Sequence, residues 1–317
     1  MYLSAPARRL AIVAILVLAA STARAATPVI ALPGDQAFPE SVGSTTDGTL
    51  YVGSPAAGGV LRIKPGAKPE AWIKPGAFGT RSTFGVLADE KSGTLWVCSN
   101  DVSTLGAPGP STVKGSFLKG FDLKTGEGKV SAALPGSHEF CNDMAVAPDG
   151  SILVTDSWAP KIFRLKPGAK ALEVWVESPM FTPPSAGAGL DGIVFGGDGN
   201  LYVDLFNDAK LFRVDIKEGQ ADRITELKPS REVKLTDALR DPKGSSFLMI
   251  EGSGKLDRVT VDGDAARLET VKDGMDEPTG VTRVGDTAYV TEGQLSKLFR
   301  HAGSPTLPFK IYVVQLK

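Results

Sequence analysis

The chain has 317 residues, with 35 Lys and Arg against 36 Asp and Glu, for a formal net charge of −1. These charges are scattered without long runs of one sign, which argues against nucleic acid or an anionic membrane surface as partner. Two cysteines, Cys98 and Cys141, are too few for a disulfide scaffold, although an oxidising compartment would allow them to pair.

Residues 1–25 have the anatomy of a secretory signal peptide. Arg8 and Arg9 make a basic start, Leu10 to Ala20 form an apolar run, and Ala23-Arg24-Ala25 has small-x-small cleavage spacing. The run is too short to span a bilayer, and no cysteine follows it to carry a lipid. The paired arginines hint at twin-arginine export, but their surroundings favour ordinary secretion. Cleavage after Ala25 would release residues 26–317 as a periplasmic or secreted protein with no membrane anchor, expected to be a monomer acting on a small molecule.

The remainder is organised by an internal repeat. Six segments begin at Glu40, Phe84, Asn142, Asp191, Asp237 and Thr279, with starts 42 to 58 residues apart. Each has a short apolar strand, a glycine turn, a β-branched or aromatic strand such as Leu95-Trp96-Val97, and a third strand ending in a basic-apolar pair. That spacing and content predict an all-β, six-bladed β-propeller of four-stranded antiparallel blades. The sixth repeat reads through Lys297-Leu298-Phe299-Arg300 as its third strand. Phe309 to Gln315 then reads as its outer strand, with Pro28 to Leu32 pairing there to close the ring. No segment has the pattern of a long amphipathic helix.

Aligning the repeats places their first residues in one column, which in a propeller rings the mouth of the central tunnel. Two positions later stand Val42, Val86, Met144, Ile193, Leu239 and Val281, as strand alternation toward a core requires. Alternation does not explain Glu40, Asn142, Asp191 and Asp237 at the narrowest part of the fold. Buried together, the three carboxylates would repel one another and lose hydration, and no Lys or Arg occupies the column. One such Asp would be explained as a turn residue bonded to backbone. Four oxygen donors in register, with no His or Cys among them, point to a hard divalent cation. Calcium suits so loose a ring, with magnesium, manganese and zinc as alternatives.

Here the chain resembles the senescence-marker-protein, gluconolactonase and luciferin-regenerating-enzyme family, the regucalcin-like propellers. The resemblance is carried by Glu40 in Pro39-Glu40-Ser41-Val42, by Asn142-Asp143, by Asp191-Gly192-Ile193 and by Asp237. It implies Glu40, Asn142, Asp191 and Asp237 as metal ligands, Asn142 alternatively as a hydrogen-bond donor to substrate, and Asp237 as the general base in lactone opening. Two departures bear on the substrate. The arginine that sugar-lactone members place two residues before the asparagine is Phe140 here, and Asp191 replaces the usual asparagine. Both favour a more apolar lactone or ester over a sugar lactone.

Two long loops, 100–115 and 178–189, are expected to overhang the mouth, with Phe140, Trp158, Met180 and Phe181 as candidate apolar walls. His138 stands four residues before Asn142 as a candidate substrate contact or proton shuttle; an ordinary loop histidine is the competing explanation. Asp156, Asp204, Glu251 and Glu292 follow second strands and read as loop-organising acids. Cys98 and Cys141 fall near the same face, so a disulfide is open. No Gly-x-Ser-x-Gly turn supports serine catalysis. Three functions remain: a metal-dependent lactonase or esterase, a non-catalytic metal-stabilised propeller that binds a ligand or protein, and a lyase or condensing enzyme on the same scaffold.

Overall fold

In a computed structural model, residues 1–2, 27–185 and 187–316 are described. The segment read as a signal peptide lies almost wholly outside them. Among the described residues, no helix is long and apolar enough to cross a membrane.

The described chain forms six sheets around one axis, each built on four antiparallel strands, a six-bladed β-propeller. The innermost strands are Val42–Ser44, Ser82–Asp89, Cys141–Val146, Leu190–Phe195, Thr236–Lys243 and Pro278–Val284. The hairpins that follow them turn on Gly48, Gly93, Gly150, Gly199, Gly244 and Gly285, all with φ between 59° and 88°, where a side chain would be strained. The six apolar residues two places beyond the column are at most 1% exposed. Each contributes about 1.5–3 kcal/mol by burial between blades.

The sixth blade departs from the sequence expectation. Its third strand is Lys310–Gln315, and its outer strand is Val29–Ala31 from the start of the described chain, paired Val29 to Tyr312 and Ala31 to Lys310. The ring therefore closes through the expected N-terminal segment, one strand further out than expected. The Lys-Leu-Phe-Arg run at 297–300 imitates the true third strands Lys161–Leu165 and Lys210–Lys217 but lies in a helix, Leu295–Phe299, and its end. The Ile-Tyr-Val-Val run of 311–314 takes the ladder, because β-branched residues suit it better. The displaced turn is held by Glu277, which accepts hydrogen bonds from Ser296 N (3.0 Å) and from Ser296 Oγ.

Blade five carries an extra edge strand, Lys228–Pro229, parallel to Ala265–Lys272. It covers an edge that would otherwise be open to pairing.

Cys98 and Cys141 form a disulfide with Cα atoms 5.2 Å apart, joining the second strand of blade two to the first strand of blade three. Both are fully buried. The bond spans 43 residues of sequence, so the chain-entropy cost it spares folding is about 4 kcal/mol. Replacing both cysteines by alanine is expected to cost about 2–5 kcal/mol in denaturant unfolding; an unchanged midpoint would show that the blade contacts suffice without it.

Candidate functional site

Each innermost strand from blade two to blade six carries a β-bulge at the tunnel mouth. The register breaks lie at Thr83/Val86, Cys141/Met144, Leu190/Ile193, Thr236/Leu239 and Pro278/Val281. The bulges bracket Phe84, Asn142, Asp191, Asp237 and Thr279 and re-aim their side chains. Together with Glu40, all of them line one cavity of 880 Å³ at the mouth. Second-strand residues hold the bulges. Thr155 Oγ1 accepts from Asp143 N (3.0 Å), Asp204 Oδ1 from Gly192 N (2.8 Å) and Thr291 Oγ1 from Gly280 N (2.7 Å).

The glycines after Phe84, Asp191 and Thr279 have a packing reason. A Cβ on Gly85 would sit 2.3 Å from Asn142 O, one on Gly192 2.4 Å from Asp237 O, and one on Gly280 2.9 Å from Glu40 O. Blades two, four and six thus each press backbone against the backbone of the next blade, bringing the column residues into one ring.

Glu40, Asn142, Asp191 and Asp237 form the cavity floor, each 5–6% exposed. Burial, then the charges of Asp191 and Asp143, push the Glu40 carboxyl well above its ordinary range, against a smaller pull from Arg240. Burial and Asp143 raise Asp191 to about 8. Burial, then Asp191 and Glu40, raise Asp237. Glu40 Oε2 is buried with no hydrogen-bond partner. Asp237 Oδ1 accepts from the adjacent Ala238 N (3.0 Å), and Asn142 Nδ2 donates to Ser157 Oγ (2.8 Å).

In chelator, Asp191 would hold its proton up to about pH 8, whereas an unstructured Asp ionises near 3.8. The folded state then binds more protons across that window, so stability is expected to fall as pH rises from about 4 to about 8. Melting temperatures in chelator at several pH values test this; a profile rising over that range would contradict it.

Two findings bear on a metal at this floor. Among the described residues, no three His, Cys, Asp or Glu side chains form a ready-made metal group. The donor chemistry nevertheless fits a hard cation. The donors are oxygen, they crowd like charges in a buried place, and Glu40 Oε2 lacks a partner. Ligation would require the carboxylates to converge further.

No Lys or Arg occupies the column itself, but a cation lies just below it. Arg240, three residues past Asp237 on the same strand, reaches from blade five to Asp143 of blade three. Its Nη1 and Nη2 donate to the two carboxylate oxygens, each at 2.5 Å, and both residues are buried. The pattern hid this because Arg240 follows an apolar core residue, Leu239, at a position where the repeats show no shared residue type. Asp204 adds a further buried carboxyl, raised by burial and then by Asp191, with Oδ2 unpartnered.

Phe140, Trp158 and His138 all line the cavity. His138 stacks on Trp158 (centroids 4.6 Å, 17°), which meets Phe140 at 5.0 Å, and Phe140 meets Phe84 edge-on at 4.7 Å. Phe299 of the unexpected helix stacks on Phe84 at 6.4 Å. Both long loops reach the cavity, through Thr104 and Leu105 and through Pro183 to Ser185. Met180 and Phe181 do not line it: Phe181 is buried against Phe212 between blades, and Met180 is exposed. The helix Pro179–Phe181 turns Phe181 inward before the prolines reach the mouth. Phe206, Leu235, Leu295 and Glu277 also line the cavity and escaped the sequence reading. Leu235 and Glu277 have positive φ, and neither residue type advertises that conformation.

The loop-organising acids behave as expected. Asp156 Oδ1 accepts from Phe140 N and Trp158 N, both at 2.9 Å, thereby fixing two wall residues. Glu251 accepts from Lys234 N, and Glu292 from Tyr312 Oη and Gln294 Nε2.

No protein-family model matches the chain, and no curated protein matches it either. Its fold is shared with many solved structures. The major Malassezia sympodialis allergen Mala s 1 is 16% identical with a TM-score of 0.69, over 92% of this chain and 97% of that one. A candidate gluconolactonase is 15% identical with a TM-score of 0.65, over 92% and 93%. Virginiamycin B lyase from Staphylococcus aureus is 14% identical with a TM-score of 0.61, over 92% and 99%. At such identities the likeness is one of fold, and function has to come from the site.

Proposed function

We propose that the chain is a divalent-metal-dependent hydrolase that opens a lactone or cleaves an ester at the tunnel mouth. The observation that carries this is the floor: three buried carboxyls and a carboxamide facing one cavity, with Glu40 Oε2 unpartnered. Glu40, Asn142, Asp191 and Asp237 would hold the ion. Calcium is the first choice, since it accepts irregular oxygen shells. When bound, such an ion polarises a carbonyl and lowers the pKa of water.

The chain's own groups have separate tasks. Asp237 would take the proton of the attacking water on a carboxylate oxygen. A carboxylate that also holds the ion is a weak base, so part of the activation would come from the ion lowering the pKa of the water. Asn142, one blade from Asp191 on the floor, is oriented by Ser157 Oγ. The aromatic wall, with Pro183 and Pro184 of the 178–189 loop, would give the remainder of the substrate an apolar surface.

The test is hydrolysis of a panel of lactones and aryl esters by metal-stripped protein, repeated with calcium, manganese or zinc restored. Turnover lost on stripping and regained with one ion supports the proposal. Metal or ligand binding without turnover would favour the non-catalytic propeller instead. Binding alone can be read with Glu40→Gln. If Glu40 is a ligand, the rise in melting temperature that calcium gives the unmodified protein should shrink or vanish in this variant. An equal rise in both would remove Glu40 from the ligand set.

A further inference from the structure

Five rings from blades two and three and from the helix of the sixth blade's insertion run along one side of the cavity: His138, Trp158, Phe140, Phe84 and Phe299. Neighbouring centroids are 4.6 to 6.4 Å apart. These rings line the same cavity as the floor acids.

Two of the polar groups nearest Trp158 and the 178–189 loop are committed. Ser157 Oγ donates to Leu190 O (2.6 Å) while receiving Asn142, and Asn207 Oδ1 accepts from Ala188 N (2.6 Å). A polyhydroxylated ligand would therefore meet few free partners along the wall, and its unpaired hydroxyls would cost binding energy.

Charge sets a second limit. Glu40, Asp191 and Asp237 outnumber one divalent ion when ionised. Arg240 is already engaged by Asp143, and the rim offers one Arg300 against one Glu277. An anionic substituent buried here would face an acidic floor, the cation lining the cavity, Arg300, standing at the rim.

We infer that the molecule bound at this mouth carries a planar aromatic ring with no anionic substituent, seated against Trp158 and Phe140. As a statement about substrate, this rests on the hydrolase reading; as a statement about binding, it stands without it. Rings packed against aromatic walls gain offset-stacked or edge-to-face contacts that saturated rings of equal size do not.

The experiment compares γ-phenyl-, γ-cyclohexyl- and γ-(4-carboxyphenyl)-γ-butyrolactone, which share one reacting ring. Equilibrium binding of 2-naphthol is measured in parallel by the anisotropy of its own fluorescence in wild type, Trp158→Phe and Trp158→Ala. The expected result is a kcat/KM about ten-fold higher for phenyl than for cyclohexyl, consistent with one added aromatic contact. The carboxyphenyl compound should be the poorest of the three. Trp158→Ala should bring the phenyl and cyclohexyl values together through KM, weaken naphthol binding and leave the fold intact; Trp158→Phe should retain most of both. Equal phenyl and cyclohexyl values in wild type, or naphthol binding indifferent to Trp158→Ala, would overturn the inference. Naphthol binding that depends on Trp158, without turnover of any lactone, would sink the hydrolase reading and support the aromatic pocket.

Discussion

Asp237→Asn is expected to abolish lactone and ester turnover, by about 10²-fold or more at saturating calcium, while the propeller stays folded. The magnitude follows from removing a positioned general base. The fold should survive because Asp237 Oδ1 makes one local hydrogen bond, to Ala238 N at 3.0 Å, and an amide oxygen can accept the same bond. The substitution also removes one of three crowded carboxyls, so in chelator the melting temperature should hold or rise. Saturating calcium separates loss of the base from loss of a ligand. Turnover within a few-fold of wild type would take the base role from Asp237, and a collapse in melting temperature would assign it a structural duty.

Arg240→Met is expected to be the most damaging single change in the tunnel. It leaves Asp143 buried and unpaired, which typically costs about 3–5 kcal/mol. It also removes the positive charge that partly offsets Glu40 and Asp191. For a domain of this size the melting temperature should fall by roughly 5–10 °C. Arg240→Met combined with Asp143→Leu should recover most of that loss, because replacing both partners of a buried ion pair leaves no orphan charge. Thermal or denaturant unfolding of the two single variants and the double gives the coupling directly. A double variant no more stable than Arg240→Met alone would show that Arg240 acts by packing across the tunnel rather than through Asp143.

The blade count was legible because each repeat states the same local instruction: a glycine turn, an alternating inner strand and a β-branched second strand. The floor was legible for the same reason. Glu40, Asn142, Asp191 and Asp237 hold equivalent places in equivalent strands, so aligning the repeats brings them to one face without any knowledge of contacts. Phe140, Trp158 and His138 were reachable through their nearness in sequence to Asn142 or to the end of a second strand. The sixth blade was misread where local pattern and global demand disagree. Lys297-Leu298-Phe299-Arg300 matches the third-strand signature, yet Lys310–Gln315 wins the ladder, and nothing local distinguishes a used signature from an unused one.

The sequence by itself determined the all-β repeat, the six turns and the ring of oxygen donors, since these depend on residue types at fixed short spacings. Only the tertiary structure decided that Cys98 and Cys141 are bonded, that Arg240 crosses the tunnel to Asp143, and that Phe299 joins the aromatic wall. It likewise turned Phe181 into the core and delivered the two prolines after it to the mouth. Each of these joins residues from separate elements, and a periodic pattern records which face a residue takes but not which distant partner meets it there.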